Sequence, residues 1–202
     1  RGLGDVYKRQ MVNSFHGKTL GALSLTHGTK YREPFKEVLN PKVKFVPYGK
    51  AEKVAEAISG DTAAVFVEPI QGEGGVRIPP NSFLKELREL CDEKDVLLVM
   101  DEVQTGFGRT GRLWAFQHWN VEPDILCLGK SIAGGIPIGV TVARDDIMDA
   151  LRRGEHSNTF GGNPLAMAAA SAALDALIEE RLVERAHELG KVALNRMKEI
   201  KE

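Results

Sequence analysis

The sequence predicts an α/β protein with a mostly parallel sheet and helices on both faces. Residues 63–67 and 96–100 are nearly continuous apolar, β-rich runs, the pattern of strands buried on both sides. Helical periodicity alternates with these runs along the chain, which is the order that builds parallel sheets. Polar or glycine-rich residues follow each run directly, and in an open α/β sheet the carboxyl edge is where ligands bind.

Taken in order, residues 43–46 (Val-Lys-Phe-Val) read as a short strand and residues 51–59 as a helix. The run at 63–67 ends at Glu68-Pro69 and enters the loop Gln71-Gly72-Glu73-Gly74-Gly75. A helix begins near Ser82, an N-cap candidate, with Phe83, Leu84, Leu87, Leu90 and Cys91 on one face. The run at 96–100 leads straight into Asp101. Further strands are expected at 124–128 and 138–143, an alanine-rich helix at 163–179, and a last helix from about Leu182.

A length of 202 residues allows one substantial core. Lys and Arg total 27 against 28 Asp and Glu, a formal charge of −1, so no basic surface argues for nucleic acid. The apolar runs are too short to cross a bilayer as helices. Cys91 and Cys127 lie in apolar-periodic segments, the setting of buried free thiols in a reducing cytoplasm. No His/Cys spacing suggests a metal, and no Gly-x-x-x-x-Gly-Lys-Ser/Thr loop is present. Residues 1–10 are set aside from fold reasoning, because Asp5-Val6-Tyr7-Lys8-Arg9-Gln10 resembles the translation of a sequencing-library adapter.

Two motifs carry the chemistry. Asp101-Glu102-Val103-Gln104-Thr105-Gly106 follows one buried strand, and Lys130 closes the apolar segment 125–130. Alone, Asp101 is also what a turn-capping aspartate looks like, and Lys130 is also an ordinary solvated lysine. As an ordered pair they match what pyridoxal 5′-phosphate (PLP) requires: an amine for its aldehyde and a carboxylate for its ring nitrogen. Gln104, in the same turn as Asp101, could reach the ring's phenolic oxygen, and Phe15 could stack on the ring face. His16 reads as readily as a structural histidine and is assigned no catalytic role. The turn from Thr159 to Pro164 opens a helix in a way suited to a phosphate.

These residues together resemble the class III PLP-dependent aminotransferases of fold type I. The resemblance rests on 14–19 (SFHGKT), 68–75 (EPIQGEGG), 101–111 (DEVQTGFGRTG), the Lys130 segment and TFGGNPLA from Thr159, and it spans residues 11–202. Within that class the chain is most similar to the acetylornithine/ornithine group, including enzymes acting on carrier-protein-linked lysine.

The resemblance implies that Lys130 is the Schiff-base lysine and Asp101 the pyridinium partner. It implies that Gln104 contacts the phenolic oxygen, that Phe15 covers the ring, and that Thr159 reaches the cofactor phosphate of the partner in a homodimer. Lys18 and Glu73 fall at substrate-binding positions, Glu73 matching a glutamate that pairs with an arginine outside this chain. Many relatives have arginine where Lys18 stands. A lysine offers a point charge instead of a planar fork, and putrescine aminotransferases resemble the chain in this stretch.

The expected reaction moves a terminal amino group from acetylornithine, ornithine or carrier-linked lysine to 2-oxoglutarate. Putrescine is the alternative donor, and aminomutases and racemases share the fold. Residues 11–202 are expected to be part of a PLP-binding large domain, without the upstream phosphate loop and the C-terminal small domain. As an isolated piece the chain is expected to be poorly soluble and to show little or no turnover.

Overall fold

The structure is a computed structural model that describes residues 7–201. Six strands form one sheet: β1 (Tyr7–Met11), β2 (Val43–Val46), β3 (Thr62–Val67), β4 (Leu97–Asp101), β5 (Ile125–Leu128) and β6 (Val140–Ala143). Their order is β2-β1-β3-β4-β5-β6, and β1 pairs in parallel with both β2 and β3, as β3 does with β4. The α/β class and the parallel sheet are as the sequence predicts. The chain divides into two compact units, with Asp101 closing the first stretch of one and Glu102 opening the other.

The first unit contains β1 to β4 and the segment Trp119–Leu126. Its helices are α1 (Leu20–Leu25), α2 (Thr29–Arg32), α3 (Ala51–Ala57) and α4 (Phe83–Glu93). Helix α4 buries Phe83, Leu84, Leu87 and Cys91, the face that the sequence periodicity marks, and it packs on β4 and α3. Burial pushes the Cys91 thiol up to about 12, which leaves it a small apolar side chain. Ser82 precedes α4 as expected, but its side chain makes no capping hydrogen bond and its backbone is already helical.

Strand β1 has no counterpart in the sequence reading. Residues 1–6 of the segment set aside there lie outside the described residues, whereas 7–10 form a strand between β2 and β3. Buried strands of parallel sheets are usually apolar, yet Arg9 and Gln10 are buried here. The Arg9 guanidinium donates to the Ala57 carbonyl at the end of α3 and, at 3.2 Å, to Ser59 Oγ. A cation at a helix carboxyl end is a favourable place for that charge. Gln10 spends its carbonyl oxygen on the Met11 N–H, and its Nε2 has no partner.

The second unit contains Glu102–His118 and the chain from Cys127 onward. It holds β6 and helices α5 (Asp145–Met148), α6 (Pro164–Glu179) and α7 (Leu182–Lys201). Ile132, Ala133 and Ala170 form its core, with Phe107, Ile136, Ile138, Val140 and Ala169 packed against them. Gly108 and Gly111 let the 102–118 loop lie against α7; a Cβ at Gly111 would stand 3.0 Å from His187 Cα. Both have φ near +80°, where a side chain would also strain the backbone.

Asp124 joins β5 to β4 within the first unit. Its N–H donates to the Leu98 carbonyl at 2.9 Å, and its Oδ2 accepts from the Leu98 N–H at 2.7 Å. The same oxygen accepts from Arg88 Nη1 at 2.9 Å, with the carboxylate buried. Removing the buried carboxylate leaves the Leu98 N–H without its acceptor and Arg88 with only its more exposed ionic partner, Asp92. Asp124→Ala should therefore cost the full-length protein roughly 3 kcal/mol in a urea unfolding curve; a loss under about 0.5 kcal/mol would show the pair to be incidental.

Candidate active site

The register of the first unit places its chemistry. Val67 of β3 lies beside Met100 of β4, so Glu68 and Asp101 leave the sheet as neighbours at its carboxyl edge. Strand β1 leads to the same edge and continues into the loop carrying Phe15 and His16. His16 Nδ1 stands 2.6 Å from Asp101 Oδ2, with side chains only 5% and 12% exposed. The sequence reading left His16 without a role, and the structure pairs it with the candidate cofactor carboxylate. His16 Nε2 is buried and has no partner, and the Phe66 ring meets the imidazole edge-on.

Glu68 is the other residue the sequence reading passed over. It is 6% exposed, and its Oε2 accepts the Phe15 N–H at 3.1 Å. Burial pushes the carboxyl up to about 7; His16 and the backbone N–H groups of Phe15 and Gly72 pull it down, and Asp101 adds to the rise. Tyr48, following β2, donates its hydroxyl to the Glu68 and Pro69 carbonyls, and burial holds that phenol well above its ordinary range. The glutamate before a proline reads in sequence as a strand end, and only the strand register shows it beside Asp101.

Phe15 and Glu73 line one cavity of about 260 Å³, with Lys30 and Tyr31. Lys18 lies at its margin, Nζ 5.0 Å from the Tyr31 ring centroid, and Lys30 Nζ is 4.7 Å from the same centroid. The Tyr31 ring also meets Phe15 edge-on at 5.9 Å. Two ammonium groups on one aromatic ring make this end of the cavity cationic.

In the second unit Glu102 is fully buried and clamps the loop that follows it. Its Oε2 accepts from Thr105 Oγ1 at 2.9 Å and the Ala115 N–H at 2.8 Å, and its Oε1 from the Phe116 N–H at 2.8 Å. Gln104, in the same loop, is exposed. Lys130 is exposed and has φ +47°, a left-handed conformation uncommon for a residue with a side chain. Gly129 before it packs close to Val103 and the Ile138 carbonyl. Thr159 sits in an exposed turn ahead of α6, whose N-cap is Asn163: its Oδ1 accepts the Ala166 N–H at 2.9 Å.

Among the described residues, no group of three or more His, Cys, Asp or Glu could hold a metal, and no helix is long and apolar enough to cross a membrane.

A mostly parallel α/β sheet is the framework of the PLP-dependent aminotransferases that the chain is similar to. The chain belongs to the class-III aminotransferase family, whose model matches residues 9–202. It is 55% identical over 185 residues to the acetylornithine aminotransferase of Methanopyrus kandleri, covering 92% of this chain and 47% of that protein. It is 53% identical to a putative LysW-aminoadipate semialdehyde/glutamate semialdehyde transaminase of Pyrobaculum aerophilum, over 89% of this chain and 46% of that protein. Among solved structures, an ornithine aminotransferase of Toxoplasma gondii, with PLP at partial occupancy in its active site, superposes with a TM-score of 0.89. That match has 44% identity and covers 92% of this chain and 44% of the other. The chain thus spans about half the length of the relatives it matches.

The raised Glu68 carboxyl has a consequence for stability. A neutral Glu68 fits the fold best below about pH 4.5, and that advantage is lost as pH rises toward 7, where the buried group ionises. Glu68→Gln stays neutral throughout. It should match the unmodified protein near pH 4.5 and exceed it by about 1–3 kcal/mol at pH 8 in parallel urea curves. A constant difference across that range would place the Glu68 titration elsewhere.

Proposed function

We propose that the full-length protein is a PLP-dependent ω-aminotransferase. It would take the terminal amino group of acetylornithine, ornithine or carrier-linked lysine and pass it to 2-oxoglutarate. The observation that carries this reading is the largely shielded His16–Asp101 pair. A carboxylate held out of water by an imidazole suits a ring nitrogen that must stay protonated, and the unpartnered His16 Nε2 marks a site with polar capacity in reserve. The residues present therefore fit the cofactor.

When bound, PLP supplies an aldehyde that accepts an amine and a protonated ring that draws electrons from the reacting carbon. Asp101 would hold the ring proton, with His16 Nδ1 bonded to that carboxylate. Phe15 would cover the ring face, with its backbone anchored by Glu68. Lys130 would hold the cofactor through its amine, and its Nζ would move a proton from the donor's terminal carbon to the cofactor's aldehyde-derived carbon, as general base and then general acid. Gln104 would meet the phenolic oxygen. Thr159 would meet the phosphate of the partner's cofactor in a homodimer, and a cytoplasmic location fits the free thiols.

The donor's far end would lie among Lys18, Lys30 and Glu73. The cationic end of that cavity favours a donor bearing a carboxylate over putrescine, whose second ammonium two lysines would repel. Lys18 alone, as a point charge, grips a carboxylate less specifically than an arginine would. An amino-group carrier protein is a further partner if carrier-linked lysine is the donor.

The test is the absorbance of the full-length protein with PLP. The band of lysine-bound cofactor should form, vanish in Lys130→Ala, and convert to the pyridoxamine form with acetylornithine, ornithine or carrier-linked lysine. Conversion by putrescine in preference to these would replace the donor; a retained band in Lys130→Ala would refute the lysine assignment.

A further inference from the structure

We propose that Tyr31 is a positioning residue for the amine donor: its ring gathers the Lys18 and Lys30 ammonium groups into one carboxylate-binding pair. The inference rests on the aminotransferase reading above and adds to it a residue that no motif assigns.

The ring itself is braced. Tyr31 lies in the short helix α2 and is half-buried, and its ring meets Phe15 edge-on at 5.9 Å. A Cβ at Gly28 would stand 3.0 Å from Tyr31 Cδ2, so a larger residue there would push the ring aside. Phe15 is held in turn by Glu68, which accepts its N–H. The Tyr31 ring is thus set in the wall of the 260 Å³ cavity that it lines with Phe15, Lys30 and Glu73.

Two cations meet on that ring, with Lys18 Nζ 5.0 Å and Lys30 Nζ 4.7 Å from its centroid. Both side chains are exposed, and among the described residues neither ammonium has a carboxylate or other hydrogen-bond acceptor. Glu73 lines the same cavity without pairing with either, so both charges stay open to an incoming anion. Like charges repel, and the π face is what holds these two together. A carboxylate that reaches both neutralises the repulsion.

The chemistry of lysine is why the ring matters. A guanidinium grips a carboxylate with a planar fork that is already organised, whereas an ammonium on a flexible stem loses more freedom per hydrogen bond. Two ammonium groups reproduce a two-point grip only when their stems are already placed. A shared aromatic face does that placing.

The experiment measures kcat and KM of the full-length protein for acetylornithine, ornithine and putrescine, beside its Tyr31→Leu and Tyr31→Phe variants. Tyr31→Leu should raise KM for the two carboxylate donors about tenfold, through loss of the hold on both ammonium groups, and change kcat less than about twofold. KM for putrescine, which has no carboxylate, should stay the same or fall. Tyr31→Phe keeps the π face and should stay within about twofold of the unmodified protein for every donor. Lys30→Gln should weaken the carboxylate donors in the unmodified protein and add little to Tyr31→Leu, since ring and ammonium act as one unit. An equal rise in KM for putrescine, a loss carried by kcat, or a Tyr31→Phe variant as weak as Tyr31→Leu would reduce the ring to packing and overturn the proposal. If Tyr31→Leu does not fold, Lys30→Gln decides: it must weaken the carboxylate donors and spare putrescine, and any other pattern overturns the proposal. An unmodified protein that converts none of these donors, nor carrier-linked lysine, would overturn the aminotransferase reading itself, and this inference with it.

Discussion

Parallel pairing of β1, β3 and β4 is the constraint on which the candidate site depends. Parallel strands send all their carboxyl ends to one edge, so residues far apart in sequence emerge together without any direct attraction between them. His16, Glu68 and Asp101 come from three such exits. The apolar strands β3 and β4 exclude water, and it is this exclusion that raises the Glu68 carboxyl.

The strands and helices with strong periodicity were legible in the sequence. Strands at 62–67 and 97–101, the buried face of α4, and the alanine-rich α6 all stand where the apolar pattern puts them. The short helices α1, α2 and α5 were not, since four to six residues carry too little of a 3.6-residue period to be seen. Strand β1 escaped for a different reason. Tyr7 to Gln10 lie in the segment set aside for its resemblance to an adapter translation. Only the α3 carboxyl end and Ser59, which receive the Arg9 guanidinium, make a buried strand of it.

The site shows the same division. The placement of Asp101 and Lys130 at strand ends was readable because each follows an apolar run, a local signal. The parts that were not readable depend on contacts between distant segments. The His16–Asp101 bond joins positions 85 apart, the Phe15–Glu68 bond positions 53 apart. The cationic surroundings of Tyr31 likewise require Lys18 and Lys30 to approach one ring from different sides of a turn in the chain.

The Glu102 clamp bears on how this segment can vary. Asp101 and Glu102 are chemically alike and adjacent, yet one belongs to a pair with His16 and the other is committed to Thr105, Ala115 and Phe116. Successive residues of an extended chain point to opposite sides, so loss of one position from β4 would set Glu102 in the place of Asp101 and Val103 in that of Glu102. The loop would then lose its anchor at the same moment that the imidazole lost its partner. Point substitutions in this dipeptide are separable defects, whereas a single-residue deletion in β4 is a compound one, and length is more tightly constrained here than composition.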